Sequence, residues 1–252
     1  MTSSAPRPSI SQGPAAPSSS RRTLLRTAVT GAALTAGSWD WDASAASAAP
    51  RGRARPRPTT PETALRELEA GNRRWRTRHE RHPHETLAVR RELVSGQHPF
   101  AVVLGCVDSR VPPELVFDQG LGDLLTVRSA GEVLDEAVLG SVAFGVLELG
   151  IPLVVVLGHA SCGAVSAAVR ADQTGERLPA HIQYLADRIR PAIDHAQEGA
   201  ARVDATISAQ VRRVRAQLAA EPDLAGRVAE GRLAVVGARY ELSSQLVHRV
   251  AD

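Results

Sequence analysis

The chain has 252 residues, 43% of them hydrophobic but only 3% aromatic, which suits one sizeable α/β core plus a tail. All thirty basic residues are arginine, so Schiff-base chemistry and a phosphate-loop lysine are excluded. The net charge of +3 belongs to the tail: residues 1–60 hold eight arginines against two aspartates, while the remainder is net acidic and carries no nucleic-acid-binding signature.

Residues 1–20 are Ser-, Pro- and Ala-rich. Arg21-Arg22 then opens a modest apolar stretch to Gly37, followed by small residues at Ala46-Ser47-Ala48. This is the pattern of a twin-arginine export signal over residues 1–48, and it predicts a periplasmic or extracellular protein. An unstructured basic extension, leaving the chain cytoplasmic, is the competing reading. The stretch is too short and too interrupted for a stable membrane span. Residues 49–60 read as a Pro/Arg-rich linker, which leaves 61–252 as the folded domain.

Thr60-Pro61-Glu62 starts a helix with an apolar stripe at Leu65, Leu68 and Trp75. His79, His82 and His84 surround Pro83 in a charged segment, which reads as a solvated loop and not as a second metal site. Strands are expected at 100–106, 124–128, 153–158 and 232–237, and helices near 132–149, 162–171, 180–196, 202–219 and 241–250. Such alternation predicts an α/β fold with a central, mainly parallel β-sheet flanked by helices. Gly150-Ile-Pro152 marks the helix end before the third strand.

The only two cysteines both follow strand-like runs. Cys106 closes Phe100–Cys106, and His159-Ala-Ser-Cys162 follows Leu153–Gly158. Ligands bind at the carboxyl ends of strands in open parallel sheets, so Cys106, His159 and Cys162 can converge there as a Cys2His metal set. Zinc accepts thiolate and imidazole, and three protein ligands with a fourth position open is the pattern of a catalytic site. Asp108 and Arg110 stand beside it in Cys106-Val-Asp-Ser-Arg110. With both cysteines claimed by the metal, no disulfide is available.

These residues resemble the signature of the beta-class carbonic anhydrases, C-x-D-x-R followed some fifty residues later by H-x-x-C. The likeness extends from about Thr60 to the C-terminus, through AGNRRW, the segment from Gly96 to Glu132, and LGHASCGAV. It implies a zinc lyase, with one Zn2+ per chain, that interconverts carbon dioxide and bicarbonate through zinc-bound hydroxide. Asp108 and Arg110 would then be catalytic, the arginine holding the carboxylate off the metal so that it does not become an inhibitory fourth ligand.

The resemblance also implies that Gln97 and Gly163 bind substrate, the former across a homodimer or tetramer interface, and that the first helix packs across the partner. By sequence alone that helix can equally pack on its own domain, and Gln97 can be a plain turn residue. Leu125 and Ala130 match pocket-lining positions, although the usual bulky aromatic is missing at the first. Val103 replaces a tryptophan used by an inhibitory bicarbonate pocket, so that regulation is not expected even though Arg128 is present. Glu132 stands where asparagine is frequent. Two other readings remain open: a non-catalytic zinc protein that binds an anion, and an enzyme for a carbon dioxide analogue such as carbon disulfide.

Overall fold

The computed structural model describes residues 57–251. The signal-like segment and all but the last four residues of the linker therefore lie outside the described residues. The end of the linker is tied down: the Arg57 guanidinium donates to the carbonyls of His98 and, at 2.9 Å, Gly122.

Helix α1, Pro61–Thr77, starts at Thr60, whose hydroxyl accepts from the Thr63 amide while Thr63 Oγ1 accepts from the Thr60 amide. This reciprocal cap satisfies amides that the first turn leaves unpaired. Arg78 ends the helix in the left-handed conformation. Short helices α2, Leu87–Glu92, and α3, Pro113–Val116, flank strand β1, Ala101–Gly105. The chain continues through β2, Leu124–Arg128; α4, Glu136–Leu147; β3, Leu153–His159; α5, Gly163–Thr174; and α6, Ala180–Ile189. It closes with α7, Gly199–Ala220; α8, Pro222–Ala229; β4, Ala234–Tyr240; and β5, Val247–Arg249.

The sheet order is β2-β1-β3-β4-β5, parallel throughout except for the β4–β5 pair. Alternation of side chains sends successive strand residues to opposite layers. Ala101, Val103, Val155 and Val236 join Ala64 and Leu68 of α1 and Val116 of α3 in one apolar layer. Val102, Leu104, Val154 and Val156 meet Val142 of α4 and Val211, Val214 and Leu218 of α7 in the other. A third cluster at the carboxyl end of the sheet gathers Cys106, Cys162, Val165, Ile189 and Ile207.

Two expectations are corrected. Residues 241–250 do not form a helix: the chain turns back through Gln245, whose amide bonds the Glu241 carbonyl, and β5 pairs antiparallel with β4. Leu242, Leu246 and Val250 stand at helical spacing, but the open edge of β4 supplies backbone partners that outweigh so short a periodic signal. The helix expected from 132 begins instead at Glu136, capped by the Asp135 carboxylate on the Val138 amide at 2.9 Å. Residues 130–132 form a tight turn.

Helix α1 packs on its own domain. Asn72 bridges α1 to the chain terminus, donating to the carbonyls of Val116 and Gln245 at 3.1 and 3.0 Å and accepting from the Val247 amide at 2.9 Å. Gly71 permits the close approach, because a Cβ there would lie 1.7 Å from the Phe117 carbonyl oxygen. Gly71→Ala should therefore lower unfolding stability by about 1–3 kcal/mol, the usual cost of overpacking, as read from urea midpoints. An unchanged midpoint would mean that α1 does not dock here.

Candidate metal centre

β1 and β3 are neighbours, and the chain leaves them in opposite directions, β1 toward the β2 edge and β3 toward β4. That divergence opens a crevice at their carboxyl ends, where ligands bind in open α/β sheets. Cys106 follows β1 directly, His159 is the last residue of β3, and Cys162 caps α5. Their ligand-type atoms lie within 4.8 Å of one another, and all three residues are buried. The two Sγ atoms are 3.9 Å apart, too far for a disulfide.

The imidazole is oriented for coordination. Its Nδ1 lies 2.9 Å from the Ala160 carbonyl, which accepts the Nδ1 proton and leaves the Nε2 lone pair free. Nε2 is fully buried and has no hydrogen-bond partner. A buried polar atom with no partner is costly, and a cation between Nε2 and the two sulfurs would remove that cost. The donor set of two thiols and one imidazole fits zinc.

Electrostatics favour one thiolate in the pair, at Cys106, with the remaining proton on Cys162. The Cys162 thiol donates to the Cys106 sulfur and, with the Gly131 and Asp108 amides, outweighs burial to hold the Cys106 thiol well below its ordinary value. Cys162 is pushed up in turn, because its proton is shared with Cys106 and its surroundings are buried. A divalent cation would displace that shared proton.

Asp108 and Arg110 sit at the rim. Arg110 Nε and Nη2 donate to the two carboxylate oxygens at 2.9 and 2.7 Å, and the Arg110 amide adds a third bond at 2.9 Å. This fork, acting against partial burial, holds the carboxyl well below the usual carboxylate range. Asp108 Oδ2 lies 3.8 Å from His159 Nε2, so the carboxylate borders the metal position while both its oxygens are engaged by arginine.

Other expected residues are placed unevenly. Gly163 opens α5 beside Cys162, and nothing in the described residues crowds a Cβ there. Gln97 is exposed in the loop before β1, at the opposite end of that strand from Cys106. Four residue steps from Ala101 to Gly105 alone span roughly 13 Å. Gln97 therefore does not join its own chain's site. Leu125 packs into the layer beside α4, in contact range of Gly145, and Val103 is buried in the opposite layer. The histidine cluster behaves as a loop: His84 Nδ1 pairs with the Asp123 carboxylate at 2.7 Å, and His82 lies 3.6 Å from Glu85.

Four further residues shape the site. Arg128, brought alongside Gly105 by the β1–β2 register, donates to the carbonyls of Cys106 and Asp108 at 2.8 and 2.7 Å and so rigidifies the loop between them. The Gly131 amide lies 3.4 Å from Cys106 Sγ. Glu132, left-handed at φ 52°, is buried with one carboxylate oxygen unpartnered. Gln210 of α7 donates to the Gly131 carbonyl at 3.1 Å. Sequence reasoning missed Gln210; the available signal was an amide, with Thr206 one turn before it, on the apolar stripe Ile207, Val211, Val214 and Leu218.

A family model described as "Carbonic anhydrase" matches residues 101–247. Carbonic anhydrase 2 of Mycobacterium tuberculosis is 42% identical over 186 residues, spanning 73% of this chain and 90% of that protein. The carbonic anhydrase of Mycolicibacterium smegmatis is 41% identical over 187 residues, 73% of this chain and 91% of its own length. The chain belongs to the carbonic anhydrase family. Its fold is that of the beta class. A tetrameric beta-carbonic anhydrase from Sordaria macrospora superposes with a TM-score of 0.61 at 19% identity, covering 75% of this chain and 97% of the other. A Coccomyxa beta-carbonic anhydrase gives 0.59 at 22% identity, covering 75% and 86%.

Glu132 sets a pH dependence. Burial, with the Cys106 charge adding to it, raises its carboxyl well above the ordinary range. The folded chain thus holds this proton more tightly than the unfolded one, so its contribution is full below about 4.3 and is lost as pH rises through the folded value. Glu132→Gln should gain stability relative to the native chain as pH climbs from about 5 to about 8, measured by urea unfolding of metal-free protein. Parallel pH profiles for the two proteins would contradict this.

Proposed function

We propose that the chain binds one zinc ion through Cys106 Sγ, His159 Nε2 and Cys162 Sγ and uses it for the reversible hydration of carbon dioxide to bicarbonate and a proton. The observation that carries this reading is the buried, unpartnered Nε2 of His159, aimed at two thiols beside an arginine-held carboxylate. When bound, zinc supplies a Lewis acid that makes a water proton labile near neutral pH, a property of zinc sites generally, carbonic anhydrases included.

Asp108, ionised and fixed by Arg110, accepts a hydrogen bond from the attacking water and so orients its lone pair toward carbon dioxide. Arg110 gives Asp108 its position: with both oxygens engaged, the carboxylate does not swing onto the metal. The amino end of α5 at Gly163 carries partial positive charge, which suits the bicarbonate product. An anion-binding protein without turnover would need no such gate, so the Asp108–Arg110 fork favours the enzyme.

Gln97 completes the site only from a second copy, since it lies at the far end of β1 from its own chain's ligands. Among the described residues the β2 edge is unpaired, and Phe144 and Leu147 of the adjacent α4 are exposed, which supports assembly as a homodimer or larger. For location, the Arg21-Arg22 pattern supports export through a twin-arginine route. Among the described residues, no helix is long and apolar enough to cross a membrane.

Arg110→Ala tests the mechanism. The variant should retain zinc while carbon dioxide hydration, followed by stopped flow, falls by about 100-fold or more, the scale of losing a preorganised electrostatic partner. Near-native turnover would reduce the fork to a surface ion pair and remove Asp108 from the mechanism.

A further inference from the structure

The turn after β2 contacts a metal-set sulfur through its backbone alone. Gly131 offers its amide to Cys106 Sγ at 3.4 Å, and its own carbonyl is held at 3.1 Å by Gln210 Nε2. Both ends of one residue are therefore fixed, the near side by the sulfur and the far side by α7. Gly131 needs that restraint, because at φ 67° it occupies a conformation that glycine leaves readily. The position has little room: a Cβ on Gly131 would meet Ile189 Cδ1 at 2.7 Å.

Gln210 is unusual for a central residue of a long helix. It is a buried amide on the apolar face of α7, and its Oε1 has no partner, so packing alone does not account for a glutamine there. An apolar side chain of the same length would fill the volume without leaving an orphan acceptor. What the amide adds is one donor, aimed at the Gly131 carbonyl.

We propose that Gln210 is a positioning residue for the metal centre. By fixing Gly131 it keeps a peptide N–H on the Cys106 sulfur, moderating the negative charge that this thiolate brings to the metal. An N–H···S bond withdraws electron density from the thiolate and leaves the metal the stronger Lewis acid. Groups that orient or polarise first ligands typically alter metal affinity or activity by about 10- to 100-fold when removed. The inference rests on the zinc reading of Cys106, His159 and Cys162, and the two fail separately.

The test uses Gln210→Met, which keeps length and apolar volume but removes the donor. Native chain and variant are each loaded with cobalt, and the thiolate-to-cobalt charge-transfer band is recorded with zinc affinity by chelator competition. The variant should shift the band and bind zinc about tenfold more weakly, with metal-free unfolding midpoints close together. An unshifted band and equal affinity would overturn the role of Gln210.

A second measurement covers a variant that does not fold. With spin-active cadmium in the native chain, the Gly131 amide proton should show scalar coupling to the metal through the sulfur. Absence of that coupling in a cadmium-loaded chain would overturn the relay itself. Failure of the native chain to bind cobalt or cadmium through its thiols would instead overturn the metal reading beneath it.

Discussion

The arrangement of the whole site depends on the direct pairing of β1 with β3. Val103 sits against Val155 and Gly105 against Leu157 in a parallel register, so the two strands end side by side. The chain departs from those ends in opposite directions, which opens a crevice between them. Cys106 reaches it from one strand, and His159 and Cys162 from the other. Neither strand carries a metal set alone.

Burial makes that convergence chemically demanding. Two thiols, one imidazole nitrogen without a partner and the Glu132 carboxyl occupy a buried region, while the Arg110 guanidinium lies at the exposed rim. Charged forms are costly in such surroundings unless an opposite charge offsets them. A divalent cation meets the requirement of all three donors at once. The outer supports are predominantly backbone: Ala160 O on the imidazole, Gly131 N–H on one sulfur, and Arg128 on the carbonyls of Cys106 and Asp108. The Ala160 and Gly131 groups are backbone and do not rotate away as side chains do, so they hold the imidazole and the Cys106 sulfur in place.

What could be read from the sequence followed the strength of each local signal. The four parallel strands were visible as apolar runs, and the convergence of Cys106, His159 and Cys162 was visible because both cysteines fell at strand ends. The C-terminal hairpin was not, since β5 is three residues long and is held by β4 and by Asn72 from the other end of the domain. Asp135 was available as the cap that starts α4, but the apolar residues ahead of it suggested an earlier beginning. The roles of Arg128 and Gly131 arise from a strand register and a backbone turn, neither of which leaves a side-chain pattern. Glu132 departs from the resemblance in sequence, but only the fold shows that it is buried beside Cys106. Gln97 shows the opposite case, because its position in a motif suggested a role that its own chain does not let it fill alone.

Zinc X-ray absorption on the purified full chain tests the central claim most directly. The account predicts two sulfur neighbours at about 2.3 Å and light N/O neighbours at about 2.0 Å, with one zinc per chain. A stoichiometric zinc surrounded only by nitrogen and oxygen would contradict it, because the metal would then lie away from Cys106 and Cys162.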